Sequence, residues 1–210
     1  MKKNVLGGLY SGCELLMKLA WLNMLWLLFT LLGGIILGFA PSTCAMLAVV
    51  RKWLRGEGDQ PISPLFIKVY QKEWVKTNVL GMFFFIVFSI LLFNYQVFSA
   101  SSGIVSFIMI MCTFVSAVVF LAAFFYLFPL YVHYELPLKT YVQQALLCGI
   151  ARPVTTLCLF ISSAFIFYVL YTVPGLIPFY GGAFFALTIM FFTMRIFQRI
   201  DELRDVGAKK

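Results

Sequence analysis

From Leu19 to Val50 the chain carries no charged residue. At about 1.5 Å per residue this run would form about 48 Å of helix, well beyond a hydrocarbon core of about 30 Å. Four further apolar runs follow, from Val79 to Phe98, Ile104 to Phe128, Val154 to Tyr171 and Ile177 to Met194. Inside lipid every backbone N–H and C=O needs a partner within the protein, so runs of this length read as helices. The expected fold is all-α: a polytopic transmembrane bundle of about five spans with amphipathic interfacial helices. Charged residues make up 11% of the chain, where a soluble domain carries about a quarter. A water-facing surface cannot be built from that share, so residues 1–210 read as one integral membrane domain. The 24 phenylalanines fall mostly in the apolar runs, where they serve packing and lipid contact.

The Leu19–Val50 run is too long for one straight span. Gly33-Gly34 loosens it, and Pro41 is the expected break, with Ser42 or Thr43 capping a new helix. This predicts a span over Trp21–Ala40 and a shorter, partly buried helix over Ser42–Arg55. A hairpin bent at Gly33-Gly34 is the alternative, which would move the N-terminus inside but has arms short for a crossing.

Residues 1–18 read as a membrane-surface helix, with Leu6, Leu9, Tyr10, Cys13, Leu16 and Met17 at helical spacing and Glu14 and Lys18 as an i, i+4 pair. The apolar run begins too late and runs too long for a signal peptide. No apolar core precedes Cys13, as a lipoprotein cleavage site would need. Residues 42–76 read as cytoplasmic interfacial helices around the turn Gly56-Glu57-Gly58-Asp59-Gln60-Pro61. In Phe66–Lys76 the aromatics Phe66, Tyr70 and Trp74 share one face, and Lys68, Lys72 and Lys76 another. That pattern lies in an anionic membrane surface. Ser99–Gly103 and Val173-Pro174-Gly175 are turns, and 196–210 is a charged tail.

Cations fall between the spans. With the C-terminus inside, five spans put the N-terminus outside. Cytoplasmic segments then hold Arg51, Lys52, Arg55, Lys68, Lys72, Lys76, Lys139, Arg152, Arg195, Arg199, Arg204, Lys209 and Lys210, leaving Lys2, Lys3 and Lys18 outside. This is the positive-inside bias of a cell-membrane protein. It accounts for the net charge of +8 without nucleic acid. The order span, cytoplasmic helices, span also occurs twice, with Pro41 and Pro129 ending the first members, which suggests a parallel repeat.

Chemistry-bearing groups are sparse. His133-Tyr134-Glu135 is the one place where His and a carboxylate lie close in sequence, at the mouth of the third span, and one pair cannot close a metal site. The five cysteines form no CxxC pair, so neither a disulfide nor a metal site is expected. No span carries Asp, Glu, Lys or Arg near its centre, which argues against ion-coupled transport. No nucleotide loop, HExxH or GxSxG is present. The expectation is a chain that is not an enzyme and needs no cofactor. Arg51, Lys52 and Arg55, with Lys68, Lys72 and Lys76, are the candidate contacts for a partner surface or for lipid.

The run Trp21-Leu22-Asn23-Met24-Leu25-Trp26 through Gly38-Phe39-Ala40-Pro41-Ser42-Thr43-Cys44-Ala45-Met46, then Arg51 and Gly56, resembles the YesL family of bacterial membrane proteins. Its Pro-x-Thr-x-Ala pattern falls on Pro41, Thr43 and Ala45, followed by a basic short helix and the Phe/Lys-rich helix Phe66–Lys76. A weaker likeness runs through Phe124-Phe125-Tyr126-Leu127-Phe128-Pro129 to Arg152. The resemblance implies a Bacillus-type source and an accessory role beside a sugar ABC permease and a two-component sensor. It implies no catalytic residues. The leading expectation is therefore a non-enzymatic accessory subunit of carbohydrate ABC import, with permease subunits and the bilayer as partners. A stand-alone transporter or channel lined by Thr155, Thr156, Ser162 and Ser163, or a membrane regulator of a sensor kinase, is the alternative. The loop from Arg51 to Lys76 lacks the coupling sequence of a permease.

Overall fold

A computed structural model describes residues 2–58 and 60–208, with side chains described for residues 10, 12–58 and 60–201. Lys2, Lys3, Leu6, Leu9, Asp59, Arg204, Lys209 and Lys210 fall outside the described side chains. The described chain is helical throughout: α1 Lys2–Leu32, α2 Ile36–Leu54, α3 Ile62–Ser99, α4 Ile104–His133, α5 Leu138–Ala151, α6 Pro153–Thr172 and α7 Ile177–Ala208, with a 3-10 turn at Pro174–Leu176. Five stretches are long and apolar enough to cross a membrane: Gly12–Leu32, Ile62–Ser99, Ile104–His133, Pro153–Thr172 and Pro174–Asp201. The protein is an all-α polytopic helical bundle. The five apolar runs became five long helices, with α2 and α5 as shorter ones between them.

Four local boundaries differ from the sequence reading. The break in Leu19–Val50 falls at Gly33-Gly34-Ile35, and Pro41 lies inside α2. Gly34 has φ +76 and Ile35 φ +62, and Ile36 N–H donates to Gly34 O at 2.8 Å. That is a γ-turn in its rare positive-φ form, which costs a β-branched residue about 1–3 kcal/mol. It persists because Gly33 and Gly38 let α1 and α2 touch backbone to backbone; a Cβ on either would strike the other helix. Pro41 costs its helix one N–H near the N-terminal end, and the remaining turns hold.

Residues 2–18 are continuous with the first span in α1, where Glu14 and Lys18 form the expected i, i+4 pair at 2.7 Å. The Phe66–Lys76 segment and the second span likewise form a single helix, α3. Its 38 residues make about 57 Å, nearly twice the hydrocarbon thickness, so its lysine-bearing N-terminal part extends past the apolar layer. The third span runs one turn beyond Pro129 to His133. Within Tyr131–Arg152, Leu138–Ala151 forms α5, which folds back antiparallel on α4. The Tyr131 and Tyr141 rings are 5.0 Å apart at one end, and a Cβ on Gly149 would meet Ala122 Cβ at 3.2 Å at the other.

The proposed repeat survives in order but not in packing. α2 packs most extensively on the helix that follows it, α3, and α5 on the helix that precedes it, α4. The core lies where α2 is enclosed by α1, α3, α4 and α7, with Ala45, Val50, Phe66, Tyr126, Leu127 and Phe197 fully buried. Side chains on the outer halves of α3 and α4, such as Phe93, Phe107 and Phe114, are exposed, as lipid-facing residues must be.

Candidate functional site

The C-terminal ends of α2, α4 and α7 and the N-terminal part of α3 meet at one end of the bundle, and the predicted basic residues gather there. They do not act alike. Arg51 donates from its guanidinium to Val132 O on α4, so it ties two helices together. Burial, with Arg55 beside it, pulls its pKa below the ordinary guanidinium range, and Glu57 opposes the shift. Lys52 bonds Gln60 Oε1 and lies 3.8 Å from Glu57, bracing the turn after α2. That turn carries Gly56 at φ +82, with Glu57 N–H returning to Lys52 O at 3.0 Å, a left-handed helix stop. Arg55, Lys68, Lys72 and Lys76 are exposed. Lys68 and Lys72 line a shallow open groove with Ser63, Pro64, Ile67 and Gln71.

Behind the lysines is a polar cleft of about 610 Å3 between α2, α3 and the end of α4. Glu73 is set into it, accepting from Tyr131 Oη and pairing with Lys72 at 3.5 Å. Tyr141 Oη accepts from Leu136 N–H at 2.8 Å and donates to Tyr134 O at 2.7 Å, pinning the loop between α4 and α5. Burial pushes the Tyr141 phenol up and the Cys44 thiol strongly up, keeping both protonated. His133 does not pair with Glu135. Its Nε2 faces Asp201 Oδ2 at 3.3 Å, and Tyr134 Oη donates to Asp201 Oδ1 at 2.8 Å. That clasp joins α4 to α7 across a gap in sequence that no local pattern marks.

The Pro-x-Thr-x-Ala residues sit on α2 with Pro41 and Ala45 buried. Thr43 Oγ1 donates to Phe39 O at 2.7 Å and accepts from Trp26 Nε1 at 3.1 Å, joining α2 to α1. The motif is a packing device for the hairpin. A polar residue the sequence reading passed over is Asn23, which is fully buried. Its Nδ2 donates to Pro178 O at 2.7 Å and Ile177 O at 3.4 Å, and its Oδ1 accepts from Gly182 and Ala183 N–H at 2.8 and 3.0 Å. The amide thus bridges groups that the first turn of α7 would otherwise pair with itself. The signals available were an uncharged polar residue in an apolar span and the Gly181-Gly182 pair.

Two of the four residues in the proposed polar lining of α6 are spent. Thr156 Oγ1 bonds Gly149 O and Arg152 O and lies 3.1 Å from Tyr126 Oη, and Ser162 donates to Cys158 O. Ser163 Oγ is buried without a partner. Among the described residues no group of three or more His, Cys, Asp or Glu is placed to hold a metal ion, and the five cysteines are unpaired.

The family model described as "Protein of unknown function, DUF624" matches residues 19–95, the stretch that builds α1 to α3. The uncharacterized protein YesV of Bacillus subtilis strain 168 is 53% identical over 201 residues, 96% of this chain and 97% of that protein. The chain belongs to the YesL-type, DUF624 family. YesL itself, uncharacterized and from the same strain, is 27% identical across 98% of this chain and 97% of its own length. YteU is 29% identical across 94% and 88%. No solved structure matches the chain. The DUF624 match ends at Tyr95 and so takes in the motif, Arg51 and the α3 lysines but not α5, α6 or α7.

Proposed function

We propose that the chain is a non-enzymatic accessory subunit of the cell membrane, C-terminus inside, that docks on the permease of an oligosaccharide ABC importer. The observation that carries this is the state of the α3 lysines. Lys68 and Lys76 stand exposed with no bond among the described residues, and Lys72 between them is exposed though paired with Glu73 at 3.5 Å, while Arg51 and Lys52 are taken up by intrachain bonds. An exposed cationic stripe at a membrane face suits an acidic protein surface. The spent hydroxyls of Thr156 and Ser162 favour a subunit over a stand-alone channel. The carbohydrate setting comes from the family resemblance.

Full-length tagged protein drawn from mild detergent should bring down permease subunits, and Lys68→Glu, Lys72→Glu and Lys76→Glu together should abolish the capture. A partner-free protein that moves sugar into liposomes by itself would sink the proposal. Capture of a sensor kinase in place of a permease would overturn it in favour of the regulator. Orientation is read from Cys13, which is exposed near the start of the first span. A membrane-impermeant maleimide that labels it on intact cells puts the N-terminus outside, and Cys13→Ser should remove that label. Cys44 and Cys148 should stay unlabelled, because both are buried and burial pushes both thiols up. Labelling of Cys13 only after the cells are opened puts the N-terminus inside, as the hairpin at Gly33-Gly34 implies.

A further inference from the structure

Arg152, Arg195 and Arg199 line one cleft of about 280 Å3 at the mouth between α6 and α7, together with Val154 and Thr155. Arg152 joins α5 to α6, and Arg195 and Arg199 lie one turn apart on α7. Among the described residues the ion pairs are Lys18–Glu14, Lys52–Glu57, Lys72–Glu73 and His133–Asp201. None of the three arginines has a carboxylate partner among the described residues. Arg195 is held over the Phe191 ring at 4.2 Å, which fixes its guanidinium without neutralising it. Three like charges around one concavity repel one another, and an anion seated among them reverses that cost.

The backbone adds to the same field. α6 begins at Pro153, which has no N–H to satisfy, and the first-turn N–H groups of Val154 and Thr155 have no carbonyl partner inside the helix. They mark the positive end of a 20-residue helix. Arginine forks, a free hydroxyl and helix N–H groups together select tetrahedral oxyanions, above all phosphate.

The position says how that phosphate arrives. α6 and α7 are both membrane-crossing in length and composition, so the cleft opens where their apolar surfaces meet the polar layer. Val154, at 75% exposed, lines the cleft and also heads a stripe that continues along α6 through Leu157, Ile161 and Phe165, at 58, 61 and 66%. Spacings of three and four residues keep these on one helix face. We propose that this mouth is a binding site for an anionic phospholipid, with its phosphate among Arg152, Arg195 and Arg199 and an acyl chain along the Val154–Phe165 stripe. Three positive charges match a lipid with two phosphodiesters better than one with a single phosphodiester. Diphosphatidylglycerol therefore binds more tightly than phosphatidylglycerol.

The full-length protein, stripped of lipid in mild detergent, tests this by native mass spectrometry with added diphosphatidylglycerol, phosphatidylglycerol or phosphatidylcholine. Retention should fall in that order. Arg195→Gln with Arg199→Gln should lower the affinity for diphosphatidylglycerol about thirtyfold. Arg195→Lys with Arg199→Lys should keep most of it, and Lys68→Gln, Lys72→Gln and Lys76→Gln together should leave it within about twofold. Equal retention of phosphatidylcholine and the anionic lipids by the unaltered protein would overturn the site, whether or not the variants fold. So would unchanged retention in the double Gln variant. Inorganic phosphate that binds alone and displaces the lipid would make this a soluble-anion site and refute the lipid assignment.

Discussion

Two regions of the bundle hold their polar groups in opposite ways. Around α2, four polar side chains are bonded within the chain: Asn23 to α7, Thr43 between α1 and α2, Arg51 to the end of α4, Lys52 across its own turn. At the mouth of α6 and α7, three arginines face a cleft with no acidic partner among the described residues. Both regions carry the same residue types beside spans, and a count of positive charge treats them as equals. The contrast lies in what the charge is used for. Where a polar group is bonded inside, it sets the fold; where it is left open, it is available to something outside.

The sharpest way to break that contrast is at Asn23. Asn23→Leu keeps the volume and removes four hydrogen bonds, leaving carbonyls and N–H groups at the start of α7 to find one another. A loss of about 3 kcal/mol is expected in reversible unfolding in mixed detergent, because hydrogen bonds in membrane proteins average under 1 kcal/mol each and this residue makes several. A change smaller than about 1 kcal/mol would mean that the first turn of α7 closes on itself unaided. Asn23 would then be a passenger.

Arg51 comes next. Arg51→Gln shortens the donor so that it no longer reaches Val132 O, and the partly buried carbonyl is left open. About 2 kcal/mol should be lost, the usual worth of a hydrogen bond to a charged donor. Arg51→Lys should recover little of it, since the ammonium lacks the guanidinium's reach and planar geometry. Lys52→Gln should cost less, about 0.5 kcal/mol, because its partners Glu57 and Gln60 are exposed and water replaces the bond. If Arg51 and Lys52 cost the same, the latch to α4 is not holding the bundle.

How much of this could be read from the residues follows from the range of the forces. Charge-free runs identify helices because lipid solvation acts residue by residue, and the five spans came through. The left-handed stop at Gly56 was legible for the same local reason. The break between α1 and α2 was legible only as the alternative bend at Gly33-Gly34: Pro41 is the stronger local signal, yet Gly33 meeting Gly38 across the hairpin decides the matter, and that contact exists only once the helices have packed. Asn23 against Gly182 and His133 against Asp201 are long-range in the same sense. The arginine cleft unites Arg152 with residues more than ten helical turns later in the chain, so charge alone pointed only to a cytoplasmic side.

The smallest expected effect is the one that most directly separates the two regions. Arg195→Gln with Arg199→Gln removes two charges from a mouth where neither forms an ion pair with a described residue. The cation–π contact to Phe191 is partly exposed and worth about 0.5–1 kcal/mol, while relief of repulsion among Arg152, Arg195 and Arg199 works the other way. These nearly cancel. Unfolding of the lipid-stripped protein should therefore shift by no more than about 0.5 kcal/mol. With diphosphatidylglycerol present the unaltered protein should gain stability that the variant does not, since a ligand that binds only the folded state stabilises it in proportion to occupancy. A variant that is already unstable without lipid would place these arginines with Asn23 and Arg51 among the groups that hold the fold, and the contrast between the two regions would fall with it.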